Sequence, residues 1–479
     1  MATDQTKQHP SLADAMMRIT GPKGIVAAED QLPYLTEWRK RWTGTPALVV
    51  SPASTAEVAA IVSHCAKNNI AITPQGGNTG LVGGQIPMGG EILLSLNRMR
   101  TIHEVSALNK TMLVDAGVTL GAAQDAAAAQ DCLFPLSIGS EGSCQIGGVI
   151  STNAGGVNVL RYGNTRELVM GLEVVLPSGE IWDGLNALRK NNTGYDLKQL
   201  FIGGEGTLGI VTRAVLKLYP QAEEKFTLIA GLHTPAAVIE FLALTQQVSG
   251  GLVSSFEFMA RPCLDLVLKN IPGTRDPLAM PYPIYTLVEL SAGKGTNLAA
   301  IGEQVLAAAL DQAMIADAAI AQNDRQAQDF WHLRHSTSEA MNHEARGARH
   351  DVSVPVHQIP AFLAAADRAV EALVPGARPI AFGHVGDGNV HYDVMPPVGA
   401  DADALDVHVP AIENAIYDVI DRFNGSISAE HGIGQHKLAS MAARKSPVEM
   451  AMMHAIKRTF DPAGIFNPGK LVVPPPEKH

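Results

Sequence analysis

Two histidines and one glutamate are spaced so that they could bind a metal ion. His384 and His391 flank a turn-forming Gly-Asp-Gly-Asn sequence, with largely apolar or aromatic residues on both sides. Because glycine and asparagine adopt the positive φ angles of a tight turn, this pattern predicts a strand–turn–strand unit that directs both imidazoles to one point. Glu430 follows later, directly before His431. Two histidines and a glutamate can hold a catalytic zinc or similar divalent ion with one coordination position open, and His431 then remains for proton transfer.

The same residues also allow an interpretation without a metal. The chain has 16 histidines, so pairs at short spacing occur by chance, and Glu430 with His431 could be an ordinary helix-cap pair. Five further histidines are predicted to be surface or packing residues, namely His343, His350, His357, His408 and His436.

Three glycine-rich stretches indicate a binding site for a nucleotide cofactor. They are Pro74–Gly84, Gly139–Gly156 with Arg161–Gly163 shortly after it, and Gly203–Thr212. Each lies beside a strand-like sequence, and successive bare amides can form a nest for a pyrophosphate. The GxGxxG spacing is absent, so the pattern is not that of a Rossmann fold. Taken alone, the first stretch could equally be a flexible hairpin loop.

The elements that must position these loops are also visible. Residues 47–50 and 70–74 are strand-like, and Ser54 and Glu57 have the spacing of a capping box before a helical apolar pattern. A β-α-β unit is therefore predicted at the start of the folded chain. Strand-like sequences around Pro177-Ser178-Gly179 predict a hairpin between the second and third glycine-rich stretches.

The motifs PxGGxTGLxGG, GGxxxTNAGG followed by RYG, and GGEGTLGIVT resemble the FAD-binding domain of the vanillyl-alcohol oxidase and para-cresol methylhydroxylase flavoproteins. The closing segment Phe460–Lys470 matches the same family. The resemblance implies an α+β chain in which a non-Rossmann FAD-binding domain precedes an α+β substrate (cap) domain with an antiparallel sheet. Because the first loop has Asn78 and Thr79 but no histidine, we expect FAD to be bound non-covalently.

The residues that the resemblance assigns to FAD lie in the three loops and in the closing segment. They are Pro74, Gly76, Gly77, Asn78, Thr79, Gly80, Gly83, Ser140, Gly142, Gly147, Gly148, Thr152, Asn153, Gly155, Gly156, Gly163, Glu205, Gly206, Ile210 and Asn467.

The sequences GHVGDGNVH and AEHG resemble the metal-containing D-2-hydroxyacid dehydrogenases. This resemblance implies that His384, His391 and Glu430 hold a divalent metal, with Zn²⁺ favoured, and that His431 is the general base. The chemistry agrees, because an alcohol loses its proton near neutral pH only when a Lewis acid stabilises the alkoxide. A neutral imidazole can accept that proton while the flavin accepts a hydride.

A third motif bears on the substrate. The WxxR segment of the hydroxyglutarate-type enzymes is present at Trp331–Arg334, and it implies that Arg334, Ser338 and Arg349 bind substrate, with Arg334 and Ser338 on one helix face. Arg349 stands where those enzymes have lysine, and Asp393 stands where they have asparagine. A carboxylate at Asp393 would repel a substrate carboxylate unless it is protonated, paired with a cation or bound to the metal. A solvated basic face is the alternative for the arginines.

These inferences predict FAD-dependent oxidation of a D-2-hydroxy acid to the 2-oxo acid, in which His431 also contacts the substrate. D-2-Hydroxyglutarate is the first candidate substrate, and D-lactate or another small acid is the alternative. A protein of another class, a flavin- and metal-binding electron-transfer subunit of a larger complex, stays open. The resemblance implies electron-transfer flavoprotein or a quinone as the acceptor, and no NAD fingerprint is visible. A homodimer is also left open.

Composition limits the classes of protein to which this chain could belong. The chain has 479 residues, 46% hydrophobic and 17% charged, which suits two or more domains. A net charge of -11 argues against nucleic acid or an anionic membrane as a partner. Four scattered cysteines without a CxxC pair fit a reducing compartment, and there is no secretory signal and no run of about 18 uncharged apolar residues. We therefore expect a cytoplasmic protein without a transmembrane segment.

Four segments are predicted: a lead-in at 1–45, an FAD-binding domain at 46–220, a substrate- and metal-binding cap domain at 221–450, and a segment at 451–479 that returns to the flavin. The basic run within 37–42 is expected to be a solvated surface segment with two anchoring tryptophans.

Overall fold

The computed structural model describes residues 11–472, so the predicted segments 1–45 and 451–479 lie partly outside the described residues. The α-helices are α1 Leu12–Thr20, α2 Leu32–Leu35, α3 Thr55–Asn68, α4 Leu120–Ala128, α5 Ile146–Thr152, α6 Val159–Tyr162, α7 Thr165–Leu168, α8 Lys198–Phe201, α9 Pro235–Ser249, α10 Arg261–Asn270, α11 Leu298–Asp311, α12 Asp324–His335, α13 Thr337–Glu344, α14 Ile359–Leu373, α15 Val409–Arg422, α16 Leu438–Arg444 and α17 Pro447–Phe460.

The strands are β1 Leu48–Val50, β2 Ile72–Gln75, β3 Ile92–Ser95, β4 Ile102–Ser106, β5 Thr111–Asp115, β6 Cys132–Leu133, β7 Val169–Val175, β8 Ile181–Gly184, β9 Ile210–Lys217, β10 Tyr219–Pro220, β11 Glu224–Leu232, β12 Val253–Ala260, β13 Ile284–Ala292, β14 Asp317–Ile320, β15 Asp351–Ser353, β16 Arg378–Gly383 and β17 Asn389–Met395. Short 3₁₀ helices are Pro22–Gly24, Ala28–Asp30, Val356–Gln358 and Val385–Asp387.

The described N-terminal half contains two main sheets over one core and a small two-stranded sheet of β6 and β10. Strands β1, β3 and β2 form a parallel sheet, and β4, β5, β9, β7 and β8 form an antiparallel sheet. Helix α3 connects β1 to β2, which confirms the predicted β-α-β unit. It begins at Ser54, whose hydroxyl accepts from the Glu57 amide, but the Glu57 carboxylate accepts from Ala53, so only half of the predicted capping box forms. The predicted hairpin is present as β7 and β8.

The C-terminal half contains an antiparallel sheet in the order β14-β11-β13-β12-β16-β17-β15. Adjacent residues of a strand point to opposite faces of a sheet. On β11, Leu228 and Ala230 belong to one apolar cluster with α9, α11, α14 and α15, whereas Ile229 belongs to a second cluster with α10. Helices therefore cover both faces, and the predicted α+β architecture is confirmed.

The histidine motif has the predicted strand–turn–strand form. Strand β16 ends at Gly383, one 3₁₀ turn follows, and β17 begins at Asn389. Gly388 has φ of 89°, and a Cβ atom there would lie 2.4 Å from the carbonyl oxygen of Val354. Only glycine satisfies both conditions without strain, so this residue is required for the turn that separates the two histidines.

The C-terminal segment returns to the first domain. Phe466 pairs with Ile72 as a parallel bridge next to β2, and the amide of Ile72 donates to the carbonyl oxygen of Ile465 at 2.7 Å. Phe466 is fully buried in the first core, which reaches Leu218, while the second core begins at Phe226. The two cores thus lie on either side of the predicted boundary at residue 220.

The described part of the lead-in segment, residues 11–45, contains a helix and a hairpin. Helix α1 buries Met16 completely in the first core. Residues 36–43 form a hairpin in which the buried Glu37 carboxylate accepts hydrogen bonds from the amides of Arg39 and Arg41, while residues 38, 40, 41 and 43 are exposed, as expected for a solvated segment. Trp38 is 64% exposed and does not anchor this hairpin, which corrects the expectation from sequence.

Candidate active site

His384, His391 and Glu430 meet at one point between the two domains. His384 follows β16, His391 lies on β17, and Glu430 lies in the loop after α15. One ligand atom from each of the three lies within 4.8 Å of the others, and Nε2 of His384 is 3.9 Å from Oε1 of Glu430. Ligands of zinc lie about 2 Å from the ion, so small side-chain rotations would bring the three around one ion. The donor set therefore fits a divalent metal with an open position.

Glu257 orients His384 through its Nδ1 atom. The strand β12 places its buried carboxylate 2.6 Å from Nδ1 of His384, and the other oxygen accepts from Nε of Arg334 at 2.9 Å. Burial opposes the charge of Glu257, but His384 and Arg334 outweigh it and hold the pKa of the carboxyl below its ordinary value. Carboxylates commonly orient metal-binding histidines in this way. Sequence reasoning missed Glu257, although a charged residue between Phe256 and Phe258 in a buried strand was an available signal.

Asp351 is the second buried carboxylate that sequence reasoning missed. One of its oxygens accepts from the consecutive amides of Glu430 and His431, each at 2.9 Å. Its other oxygen accepts from the Asn389 side chain and lies 3.7 Å from Nδ1 of His391. Although burial disfavours its charge, His431 and His391 hold the pKa of Asp351 well below its ordinary value. Asp351 thus fixes the loop that carries both the third ligand and the candidate base.

His431 is arranged to be a neutral imidazole. Its ring stacks on that of His391 at a centroid distance of 6.3 Å, and its Nδ1 lies 3.6 Å from Asp351. Burial lowers the pKa of His431 to about 4, even though Asp351 opposes this shift. A neutral imidazole can accept a proton, which is the property that a general base needs.

The second glycine-rich loop contacts the metal ligands directly. The amide of Gly156 donates to Oε1 of Glu430 at 2.6 Å. A Cβ atom on Gly155 would lie 2.5 Å from the same oxygen, so this approach requires glycine. A loop predicted to bind the cofactor and a residue predicted to bind the metal are therefore adjacent, although 274 residues separate them along the chain.

The three loops and the closing segment converge, as the sequence predicted. The side-chain amide of Asn467 donates to the carbonyl oxygens of Gly84 and Glu205, at 2.9 and 2.8 Å. Pro74 of the first loop lies against Gly206 of the third, and Gly76 approaches Gly148 of the second. Tertiary folding therefore brings four separate sequence motifs to one region.

This region fits a long polar ligand such as FAD. Within the described part of the chain, no backbone amide of residues 77–81 donates a hydrogen bond. The buried side-chain oxygens of Gln145 and Asn467 also lack a partner there. Beside Gly142 and Gly148 there is open space where a Cβ atom would stand. Unpaired amides and buried oxygens are the groups that a dinucleotide could satisfy.

Several side chains assigned to FAD by resemblance also hold the protein together. The Glu205 carboxylate accepts from the amides of Ile433 and Gly434 at 2.8 and 2.7 Å. The side-chain amide of Asn78 donates to the carbonyl oxygen of Thr36. The side-chain oxygen of Asn153 accepts from the backbone amide of Arg166. Among the other assigned positions, Thr152 donates to the carbonyl oxygen of Gly148, Ile210 begins β9 and Gly163 ends α6. The remaining positions, which lie in the first and second loops, are Gly77, Thr79, Gly80, Gly83, Ser140 and Gly147.

The predicted substrate residues are only partly brought together. Arg334 lies in the last turn of α12 and is buried against Glu257. The chain turns at Ser336, and Ser338 in the following helix α13 is exposed. The two therefore do not share one helix face, contrary to the prediction. Arg349 lies 3.1 Å from Asp393, so the unexpected carboxylate is paired with a cation.

The histidines predicted to have no function at this site behave as expected. His343, His357 and His408 are exposed. His350 is buried and bonded to the carbonyl oxygen of Tyr392, and His436 packs edge-on against Trp42.

Comparison with known proteins assigns the family. The description "FAD linked oxidases, C-terminal domain" matches residues 221–471, and "FAD binding domain" matches residues 46–184. The chain belongs to the FAD-linked oxidases. Within this family it is 38% identical to a D-2-hydroxyglutarate dehydrogenase of Xanthomonas citri pv. viticola, over 91% of this chain and 92% of the relative. It is 35% identical to the protein of that name from Stutzerimonas stutzeri, over 96% and 99% of the two chains.

A solved structure of p-cresol methylhydroxylase with bound substrate has the same fold. It superposes with a TM-score of 0.77 at 17% identity, over 97% of each chain. The predicted fold class, with a non-Rossmann FAD-binding domain, is thereby confirmed. Within residues 11–472, no helix has the length and apolar character needed to span a membrane.

Proposed function

We propose that this FAD-linked oxidase oxidises a D-2-hydroxy acid, D-2-hydroxyglutarate first, to the corresponding 2-oxo acid. The hydrogen bond from Gly156 to Glu430, at 2.6 Å, carries this proposal. It joins the loop expected to bind FAD to a residue expected to bind the metal, so an oxygen of the substrate on the ion would lie beside the cofactor. The names of both bacterial relatives support the choice of D-2-hydroxyglutarate.

Each group in the proposed site has a separate role in the reaction. FAD would supply the hydride acceptor, and an ion held by His384, His391 and Glu430 would supply the Lewis acid that lowers the pKa of the substrate hydroxyl. His431 accepts the hydroxyl proton. Its Nδ1 is the nitrogen nearest Asp351, so Nε2 is the atom that receives this proton. Asp351 then stabilises the imidazolium that forms.

The donor set supports Zn²⁺ as the ion. Two imidazoles and one carboxylate, with Glu257 bonded to the outer nitrogen of His384, are typical of catalytic zinc. For the electron acceptor we propose electron-transfer flavoprotein or a quinone. The described cysteines Cys65, Cys132, Cys144 and Cys263 are free thiols, which supports a reducing, cytoplasmic location.

One observation favours a second substrate. The pairing of Arg349 with Asp393 neutralises a cation that a second substrate carboxylate would use. A small monocarboxylate such as D-lactate does not need that cation. D-Lactate is therefore the second candidate.

The test is anaerobic mixing of the purified FAD-loaded protein with D-2-hydroxyglutarate, D-lactate and their L isomers while the flavin absorbance is recorded. We expect bleaching by a D acid only, and loss of bleaching after chelation that added Zn²⁺ reverses. If no acid bleaches the flavin, the dehydrogenase proposal is wrong. An electron-transfer subunit that needs a larger complex would then be favoured. Turnover by the protein alone with an artificial dye would argue against that subunit.

A further inference from the structure

The hairpin at residues 36–43 reaches the active site from the N-terminal segment. Thr36 bridges to Thr43, and the guanidinium of Arg41 contacts the carbonyl oxygen of Leu81 in the first glycine-rich loop. Arg41 also lies 3.5 Å from the ring of His436, in the segment that follows His431. The hairpin is therefore held between the cofactor loop and the segment that carries the candidate base.

Glu37 fixes the conformation of the hairpin tip. Its carboxylate is buried and accepts from the amides of Arg39 and Arg41, both at 2.6 Å. The intervening Lys40 has a positive φ of 57° and is exposed. The side chain of Arg39 is partly buried in the same turn. The position of the Arg39 side chain is thus set by the conformation of the turn and not by a hydrogen bond of its guanidinium.

Arg39 differs from the other arginines at the site because its guanidinium is free. Arg334 is paired with Glu257 at 2.9 Å, and Arg349 is paired with Asp393 at 3.1 Å. Among the residues that the structure describes, the Arg39 guanidinium has neither a hydrogen bond nor an ion pair, and only its backbone amide donates. A partly buried cation without a partner is available for an anionic ligand.

We propose that Arg39 binds the second carboxylate of a dicarboxylic D-2-hydroxy acid, at the end remote from the hydroxyl. The inference rests on the function proposed above. The metal ligands and His431 define the hydroxyl end of the substrate, and Asp393, paired with Arg349, lies two residues after His391 on β17 and therefore on the same face of the sheet. Arg39 replaces the charge that Arg349 loses to Asp393.

The electrostatics agree with this location. Burial and the neighbouring Arg41 lower the pKa of Arg39 to about 10, whereas Asp393 acts in the opposite direction, so the side chain stays cationic at neutral pH. Asp393 and Arg349 both act on the pKa of Arg39, so Arg39 lies within electrostatic range of this pair.

The experiment compares two substrates of equal length in the holoenzyme. D-2-Hydroxyglutarate and D-2-hydroxypentanoate differ only in the second carboxylate. For Arg39→Gln we expect kcat/KM for D-2-hydroxyglutarate to fall about 10- to 100-fold, mainly through KM, because a charge-assisted hydrogen bond is lost. For D-2-hydroxypentanoate we expect a change of less than about 3-fold, because this acid has no second carboxylate and therefore loses no hydrogen bond to Arg39. Arg39→Lys should restore part of the loss.

The matched control is Lys40→Gln, which removes the same charge from the same hairpin at an exposed position. It should leave the ratio of the two kcat/KM values unchanged. A binding readout that needs no turnover is the thermal shift caused by 2-oxoglutarate and by 2-oxopentanoate. Only Arg39→Gln should abolish the extra stabilisation by 2-oxoglutarate.

A double variant tests whether Arg39 supplies the charge that Arg349 loses to Asp393. Asp393→Asn frees Arg349, so adding it to Arg39→Gln should recover activity on D-2-hydroxyglutarate. Equal losses on both substrates, or no loss on either, would overturn the role of Arg39. If the wild-type flavin is reduced by neither acid, the proposed function itself fails, and the thermal shifts still decide whether Arg39 binds a carboxylate.

Discussion

The carboxylate of Glu257 lies 2.6 Å from Nδ1 of His384. This contact selects the tautomer of His384 that presents Nε2 toward Glu430 and leaves that nitrogen free for an ion. The second oxygen of Glu257 binds Arg334, so one buried carboxylate connects a metal ligand to a helix of the cap domain. The geometry of the metal site therefore depends on a residue that does not contact the metal.

Glu257→Gln should lower the affinity for Zn²⁺ by about 10- to 100-fold, the usual effect of losing a carboxylate behind a metal-binding histidine. The affinity can be measured by competition with a chromophoric chelator. Glu339→Gln is the matched control, because Glu339 has a side chain that is 67% exposed. Equal affinities in the wild type and Glu257→Gln would show that Glu257 does not orient His384.

His431→Gln should lower kcat by about 10²- to 10⁴-fold, the range expected when a general base is lost. Metal and FAD contents should stay at wild-type levels, because His431 is not among the three clustered ligands. Anaerobic flavin reduction gives the rate, and elemental analysis gives the metal content. A rate within a few-fold of wild type would remove His431 from the mechanism.

Gly155→Ala should weaken metal binding without removing the first-domain fold. The new Cβ atom would lie 2.5 Å from Oε1 of Glu430, so the ligand must shift. We expect Zn²⁺ affinity to fall at least about 10-fold, as for other disturbances of ligand orientation. Gly139→Ala is the control, because nothing lies within 4 Å of a Cβ atom there. The proposal about this contact fails if both variants bind Zn²⁺ equally.

Lys470 should make the free energy of unfolding depend on pH. It is fully buried, its Nζ has no hydrogen-bond partner within residues 11–472, and burial lowers its pKa to about 8 from 10.5. The unfolded chain therefore holds more protons between these values, so stability rises with pH from about 8 to 10.5. The shift corresponds to a penalty of about 3 kcal/mol that is fully present below pH 8.

Lys470→Met should remove that penalty. We expect the free energy of unfolding at pH 7 to rise by up to about 3 kcal/mol and the increase between pH 8 and 10.5 to disappear. Urea unfolding at several pH values measures both effects. Lys445→Met, at a side chain that is 45% exposed, should change neither. A less stable Lys470→Met protein would instead mean that the buried ammonium has a stabilising partner.

The local parts of the site could be predicted from the amino-acid sequence. The turn between His384 and His391 follows from glycine and asparagine within a few residues, and the same conformational preferences identify the glycine-rich loops. The β-α-β unit was predictable because the period of apolar residues reports which face of an element is buried. Four motifs in order were also enough to indicate the fold and the FAD-binding domain.

Which distant residues meet depends on the packing of the folded chain. Glu257 and Asp351 carry no motif, since a buried carboxylate behind a histidine needs only the right position in space. Arg334 and Ser338 appeared to share a helix face, but a turn at Ser336 separates them. Arg39 lies in a segment whose basic charge suggested a solvated surface. Spacing along the chain predicts contacts within one element, whereas contacts such as Gly156 with Glu430 depend on how two domains pack.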